Sequence, residues 1–288
     1  MNRVGIAAVC MGLLLALSAA ADDFRESVSA RSGGTLTVAL PAGSIVIETH
    51  DQDSVDVEAS SSGWSGGLHF ELTSDGTNAK LEGRRGAWIF GAFGARARVR
   101  VPEHYSLELK TAGGSIEIES VQGSVKAHTS GGSIELDGAV GPVELSTSGG
   151  PIRVENVHGN TRLSTSGGGI TASEVVGAVD AETSGGSIRI SDIDGAVRAS
   201  TSGGGISVRF SGAPAGDLGT SGGSIEVEFP EGSGAELSAR TSGGQIHVEP
   251  ELAVSGEIDS GRVRGRIGPG GAKLELETSG GNIRVRER

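Results

Sequence analysis

The chain of 288 residues is poor in cysteine, proline and aromatic side chains. Its one cysteine, Cys10, lies in an apolar N-terminal segment, so the rest of the chain has no disulfide and must be held by backbone ladders and packing. No aromatic residue occurs between Thr111 and Arg209. This stretch therefore has no aromatic surface on which a sugar ring could stack. Helix-period runs are absent after the N-terminus, so the sequence argues against a helical fold.

A surplus of basic residues is also missing, since the net charge is −12. The chain therefore lacks the basic footprint of a nucleic-acid-binding protein and has no general attraction to anionic lipid. No apolar run of membrane-spanning length occurs after residue 21. We expect no nucleic acid among the partners and no transmembrane span in the mature chain.

Residues 1–21 have the pattern of a secretory signal peptide. Arg3 precedes an apolar run at residues 4–17, and three alanines at 19–21 provide a small-residue cleavage site. The run is short for a membrane span, so cleavage is favoured over an uncleaved anchor. The residue before Cys10 is too large for the usual lipidation site. We expect export to the periplasm, the cell envelope or the extracellular space.

Glycine is abundant, and many of the glycines belong to a repeated T-S-G-G motif. Counted from a near-copy at Thr111, five successive intervals are 18 residues long, and a fixed period of this size is typical of a solenoid. The full motifs begin at Thr129, Thr147, Thr165, Thr183, Thr201, Thr220, Thr241 and Thr278. Positions in the repeat are numbered from this threonine.

Aliphatic residues recur at fixed positions of the repeat. Position 6 is always isoleucine, and the alternation at positions 6 and 8, and again at 15 and 17, has the strand period of two. Glycine at position 13 and in the motif predicts tight corners. Each coil is thus predicted to hold two short strands, with Thr of the motif facing the core and Ser facing solvent. The residues that mark the repeat are Thr129, Gly131, Gly132, Ile134, Thr147, Ile152, Thr165, Ile170, Thr183 and Ile188.

The predicted fold is an all-β, single-domain parallel β-solenoid with about 18 residues per coil. A left-handed hexapeptide helix needs aliphatic residues every six positions, and His158 and Asp194 at position 12 break that rule, so a right-handed coil is favoured. Residues 22–31 are assigned as a lead and residues 32–110 as irregular coils with an aromatic loop at 84–93. Residues 111–288 continue the same domain as the regular repeat.

Three less regular segments lead to more detailed predictions. Residues 44–48 and 54–58 are predicted to be the two strands of one early coil. The interval from Thr241 to Thr278 has room for two coils. The final strand, at residues 282–285, is predicted to leave an open sheet edge that its arginines would protect.

The motif rows and the outward charges both have a structural explanation. Stacked hydroxyls would suit an ice- or sugar-binding array, whereas the adjacent Gly-Gly favours a corner in which Thr and Ser bond the backbone. Position 16 has alternating charges, which we interpret as a device that sets the register between coils. The residues of this row are Lys126, Glu144, Arg162, Asp180 and Arg198.

The sequence predicts no catalytic residue, no metal site and no cofactor. Glu174 and Asp192 stack at position 10 with Asp194 nearby, so Ca²⁺ binding is an alternative to a solvated acidic surface. The histidines show neither ligand spacing nor a Ser/His/Asp arrangement.

The main irregularity is the aromatic segment at residues 84–93. Its apolar residues Trp88, Ile89, Phe90 and Phe93 are a candidate contact for an unknown protein or glycan of the cell envelope or surface. They are also a candidate cap for the solenoid core. The two alternatives predict opposite effects of Trp88→Ala, which should weaken binding in the first case and stability in the second.

The order of these features resembles a bacterial family called putative adhesins, a β-strand-repeat domain of unknown function. The resemblance is carried by residues 33–38, the turn at 41–45, residues 101–103 leading into 107–109, and the serial T-S-G-G-x-I strands. It implies a secreted or envelope-associated β-solenoid without established catalytic residues. We therefore expect a non-catalytic adhesin-like scaffold that binds a macromolecular partner. A carbohydrate-active β-helix enzyme and a purely structural or self-assembling element are the alternatives.

Overall fold

The computed structural model describes residues 22–62, 68–85, 94–249, 255–259 and 261–288. Within these ranges 27 β-strands form a first sheet of 13 strands and a second sheet of 14, and no helix occurs. The prediction of an all-β fold is confirmed. The same residues contain no helix with the length and apolar character of a membrane span.

The N-terminal strands do not follow a simple coil. In chain order they are β1 (Asp22–Ser29), β2 (Thr35–Leu40), β3 (Ser44–His50), β4 (Ser54–Ser62), β5 (Leu68–Ser74), β6 (Ala79–Arg85), β7 (Gly94–Pro102) and β8 (Ser106–Thr111). Strand β4 pairs antiparallel with β1 and β7 in the first sheet, and β5 and β6 form an antiparallel pair in the second.

The prediction for residues 44–48 and 54–58 is therefore wrong. They lie in β3 and β4, which belong to the same sheet and are separated by β7. The first coil instead consists of β2 and β3, one in each sheet. Alternation with a period of two shows which side chains face inward, but it does not specify the neighbour of a strand or its direction.

The regular repeats form parallel ladders. Their strands are β9 (Ile116–Gln122), β10 (Val125–Thr129), β11 (Ile134–Val140), β12 (Val143–Thr147), β13 (Ile152–His158), β14 (Thr161–Thr165), β15 (Ile170–Val176), β16 (Val179–Thr183), β17 (Ile188–Asp194), β18 (Val197–Thr201), β19 (Ile206–Phe210), β20 (Gly216–Thr220) and β21 (Ile225–Phe229). Odd-numbered strands lie in the first sheet and even-numbered strands in the second, each beside its equivalent one coil away. The predicted parallel solenoid is confirmed, and its right-handed winding stays a prediction.

The core is a stack of like residues from successive coils. Each regular coil buries positions 6, 8, 11, 15 and 17 together with the next motif threonine, as in Ile170, Ala172, Val175, Val179, Ala181 and Thr183. Positions 8 and 11 both face inward because position 10 has left-handed backbone, with φ of 53° at Glu174 and 55° at Asp192. This kink moves the following side chain back to the interior, which strict alternation would not do.

The C-terminal strands enter the stack out of order. They are β22 (Ala235–Thr241), β23 (Ile246–Val248), β24 (Ser255–Asp259), β25 (Arg262–Ile267), β26 (Lys273–Thr278) and β27 (Ile283–Glu287). The last coil, β26–β27, lies between β20–β21 and β22–β23. The threonine bonds follow this order, since Thr278 Oγ1 donates to Gly223 O at 2.7 Å and Thr241 Oγ1 donates to Gly281 O at 2.8 Å.

Two predictions for the C-terminal region are consequently wrong. The final strand is not an open edge, because β27 pairs with β21 on one side and β23 on the other. The interval from Thr241 to Thr278 does not hold two coils, because β24 and β25 pair antiparallel in the second sheet. Every motif copy offers the same stacking surface. The sequence therefore does not specify the order in which the coils stack in space.

The N-terminus shows the same kind of insertion. The coil β2–β3 lies between β6–β7 and β8–β9. Both inserted coils are therefore held between neighbours. Three of the four outermost described strands, β1, β5 and β24, belong to antiparallel pairs, whereas the fourth, β23, pairs parallel with β27. The antiparallel end strands limit stacking of further parallel coils at three of the four sheet edges.

Candidate functional site

The T-S-G-G corner binds one coil to the next through its threonine. Thr183 Oγ1 donates to Gly168 O of the preceding coil at 2.8 Å and accepts a bond from the Gly186 N–H at 3.4 Å. The full motifs repeat this arrangement, and their threonines are buried while the following serines are exposed. The predicted orientation is confirmed, and a surface array that uses both hydroxyls is not formed.

The two glycines of the motif have different environments. A Cβ at Gly186 would lie 2.0 Å from Gly168 O, whereas a Cβ at Gly185 would have no atom nearer than 3.5 Å. At the opposite corner, Gly141 and Gly177 have φ values of 140° and 137°, which disfavour a side chain. The second motif glycine and the glycine at position 13 are thus required by the corners.

The outward charges at position 16 form ion pairs between neighbouring strands. Lys126 Nζ lies 3.7 Å from Glu144 Oε2, and Arg162 Nη2 lies 2.9 Å from Asp180 Oδ2. Asp217 extends the alternation, since it is the register partner of Arg198. Opposite charges on neighbouring strands are confirmed, although such exposed pairs contribute only about 0–1 kcal/mol each.

A shallow groove follows this row along the second sheet. It has a volume of about 740 Å³ and extends from β10 to β26, a distance of about 29 Å at the usual strand spacing. Small residues at position 14, including Pro142, Ala178 and Ala196, contribute to its apolar lining. Its shape suits an extended surface more than a compact small molecule.

Two of the acidic residues considered above as a Ca²⁺ site lie at the bend of their coils. Glu174 and Asp192 occupy the left-handed bend at position 10, and Arg288 Nη2 contacts Asp192 Oδ1 at 3.2 Å. In the part of the chain that the structure describes, no group of three or more His, Cys, Asp or Glu side chains is placed to hold a metal ion.

A buried tyrosine was not singled out by the repeat pattern. The hydroxyl of Tyr105 donates to Thr77 O and so fixes the turn between β5 and β6 to the stacked coils. Burial, assisted by the negative charge of Asp75, raises the pKa of Tyr105 to about 12. The sequence around Tyr105, immediately before β8, contains no pattern from which this long-range contact could be predicted.

An ion cluster fastens the inserted C-terminal strand to the first sheet. Arg209 Nε donates to Glu228 Oε2 at 2.9 Å, and Arg286 Nε donates to Glu228 Oε1 at 2.8 Å. The bond from Arg209, together with that from Arg286, holds the pKa of Glu228 below its usual value. Instead of protecting an open edge, Arg286 pairs with an acid on the adjacent strand.

The proposed aromatic contact at Trp88, Ile89, Phe90 and Phe93 lies outside the described residues. The strands on either side place its attachment points at one corner of the molecule. Ser62 faces Gly94 in the first sheet, and Leu68 faces Arg85 in the second. The described residues that flank 63–67 and 86–93 are therefore register partners, one pair in each sheet.

Two solved structures have low similarity to this chain. A putative cell adhesion protein from Clostridium sporogenes is 11% identical, with 93% of this chain and 100% of that chain covered and a TM-score of 0.25. A putative adhesin from Bacteroides fragilis is 11% identical, with 92% and 97% covered and a TM-score of 0.41. No match was found among curated proteins.

A protein-family model matches most of the chain, including its coils. The model described as Toastrack DUF4097 matches residues 34–286. This range contains the regular repeats and both inserted coils, so the resemblance to a repeat domain of unknown function is confirmed. The chain belongs to the Toastrack DUF4097 family.

Proposed function

We propose that the protein is a non-catalytic, adhesin-like scaffold that is exported to the cell envelope or surface and binds a protein or glycan there. The observation that supports this proposal is the arrangement of its surface. Stacked coils place solvent-facing side chains in straight rows on both sheets. Extended surfaces of this kind are used by solenoid proteins to bind macromolecules.

The described charged groups also have structural partners that account for their pKa shifts. The lowered pKa of Glu228 follows from its arginine contacts, and the lowered pKa of Asp75 follows from hydrogen bonds with Asn78 and Thr77. The raised pKa of Tyr105 follows from burial. These shifts are explained by the fold and need no catalytic role.

The proposal is tested by measuring binding of the tagged exported chain to isolated native envelopes. Trp88→Ala should weaken binding and leave the melting temperature unchanged if the aromatic segment contacts the partner. Val140→Ala is the matched control, because Val140 is an exposed apolar residue on a regular coil, with 54% of its surface accessible. It should change neither quantity.

Three outcomes would contradict parts of the proposal. A large loss of stability in Trp88→Ala would assign the segment to a cap, and unchanged binding at full stability would remove it from the contact. Release of soluble sugar fragments from envelope polysaccharide would support the enzyme alternative and overturn the non-catalytic assignment.

A further inference from the structure

The charged row of the second sheet has a symmetry that the coil repeat alone does not require. We use this name for six residues on six adjacent strands: Lys126, Glu144, Arg162, Asp180, Arg198 and Asp217. Read in either direction along the rod, every residue has the opposite sign to the one at the mirror position. The row is therefore complementary to its own reverse.

The centre of this pattern coincides with the centre of the sheet. It falls between β14 and β16, and seven strands of the second sheet lie on either side. The groove runs along the same row and provides an apolar lining of small residues beside it. The row is also accessible, since the side chains of Lys126, Glu144 and Arg162 are 63%, 57% and 68% exposed.

We propose that a second copy of this chain packs on this face with its rod antiparallel to the first. The two-fold axis would run parallel to the strands, between β14 and β16. Each charge of the row would then face an opposite charge on the second copy, in the pairs Lys126 with Asp217, Glu144 with Arg198, and Arg162 with Asp180. An isologous contact of this kind uses the same patch on both subunits.

The charges select the antiparallel arrangement over a parallel one. A two-fold axis along the rod would place each residue of the row opposite its own copy, so like charges would meet at all six strands. Like-charge contacts across an interface are unfavourable and exclude that arrangement. On the flanking strands the same antiparallel axis places Lys110 of β8 opposite Glu277 of β26, but it also places Glu108 of β8 opposite Glu275 of β26. The unbroken row of attractive pairs is therefore confined to the six central strands.

Part of the row lacks partners within one chain. In the described ranges Arg198 and Asp217 form no ion pair, whereas Lys126, Glu144, Arg162 and Asp180 pair with neighbours. The face of six strands measures about 29 by 17 Å, so two copies would bury roughly 1,000 Å² in total. This area is at the low end for a specific interface, and we expect a weak, salt-sensitive dimer.

Two double charge swaps separate contacts between copies from contacts within one chain. Glu144→Arg with Arg198→Glu keeps every pair across the two-fold axis attractive, although it places three like charges in succession on each half of the row. Glu144→Arg with Arg162→Glu keeps the attraction between those neighbouring strands but creates two repulsive pairs across the axis. Electrostatics within the chain alone therefore favours the second variant, and the dimer favours the first.

Sedimentation equilibrium of the full exported chain measures the outcome. We expect the 144/198 variant to dimerise within about threefold of the wild-type Kd, and the 144/162 variant to be at least roughly tenfold weaker. Thermal unfolding verifies that both are folded. A wild-type chain that is monomeric at its highest soluble concentration in low salt would overturn the proposal, as would dimerisation that is equal in both variants.

Cysteine crosslinking tests the direction of the rods, because no cysteine follows Cys10 in the sequence. Ser146 of β12 and Ser200 of β18 would face each other across the axis. Within one chain they are three strands, or about 14 Å, apart, which is too far for a disulfide. Mild oxidation should link the Ser146→Cys/Ser200→Cys variant into dimers and leave Ser146→Cys alone unlinked. Efficient linking of the single variant would indicate parallel rods and refute the proposed axis.

Discussion

Replacing Gly186 by alanine places a methyl group against the backbone of the adjacent coil. The added carbon would lie 2.0 Å from Gly168 O, 2.4 Å from Gly168 C and 2.6 Å from Gly169 N. All three are backbone atoms in a corner that ladder bonds and the Thr183 hydroxyl hold in place. Relief of the clash therefore requires separation of two coils rather than a rotamer change.

The expected loss of stability follows from the size of this displacement. A normal carbon–oxygen contact needs more than 3 Å, so the coils must part by about 1 Å at the corner. Overpacking of this kind typically costs 1–3 kcal/mol, and the rigid backbone neighbours place Gly186→Ala near the upper end. Reduced freedom of the unfolded chain returns only about 0.4–1 kcal/mol. We expect a net loss of about 2 kcal/mol.

Gly185→Ala is the matched control. Its added carbon would lie 3.5 Å from Gly167 O and 3.6 Å from Ser166 O, which are ordinary contacts. We therefore expect a change within about 0.5 kcal/mol of zero in urea unfolding followed by circular dichroism. Equal losses in the two variants would refute the assignment of close coil contact to the second glycine of the motif.

Three further substitutions test the core, the corner bonds and the buried phenol. Ile170→Asp puts an unpaired charge in the stack, so cooperative unfolding should be lost, and a small change in melting temperature would argue against the solenoid core. Thr183→Val removes the bonds to Gly168 O and from Gly186 N–H, and urea unfolding should show a loss of about 2 kcal/mol; an unchanged midpoint would contradict their role. Because the pKa of Tyr105 is raised from 10.0 to about 12, its stabilising effect is present below pH 10 and is lost as pH rises through 12. Tyr105→Phe should flatten this alkaline loss, and an identical pH profile would count against the buried hydroxyl.

Much of the regular coil was predictable because its signals are local. Isoleucine at position 6 of each copy indicated a buried strand, and the parity of Thr183 and the following serine gave their orientations. The charge row was predictable for the same reason, since neighbouring strands repeat at 18 residues. The left-handed bend was missed, although position 10 holds Gly138, Asn156 and Asp192, which are residue types that favour or tolerate positive φ.

The sequence by itself determined the coil, its inward residues and its two corners, because each depends on contacts within a coil or with an identical neighbour. Only the tertiary structure decided the order of the coils. Insertion of β2–β3 and β26–β27 between other coils depends on pairing between strands far apart in the chain. Since all copies of the motif present nearly the same stacking surface, local sequence does not distinguish a neighbour in the chain from a neighbour in space.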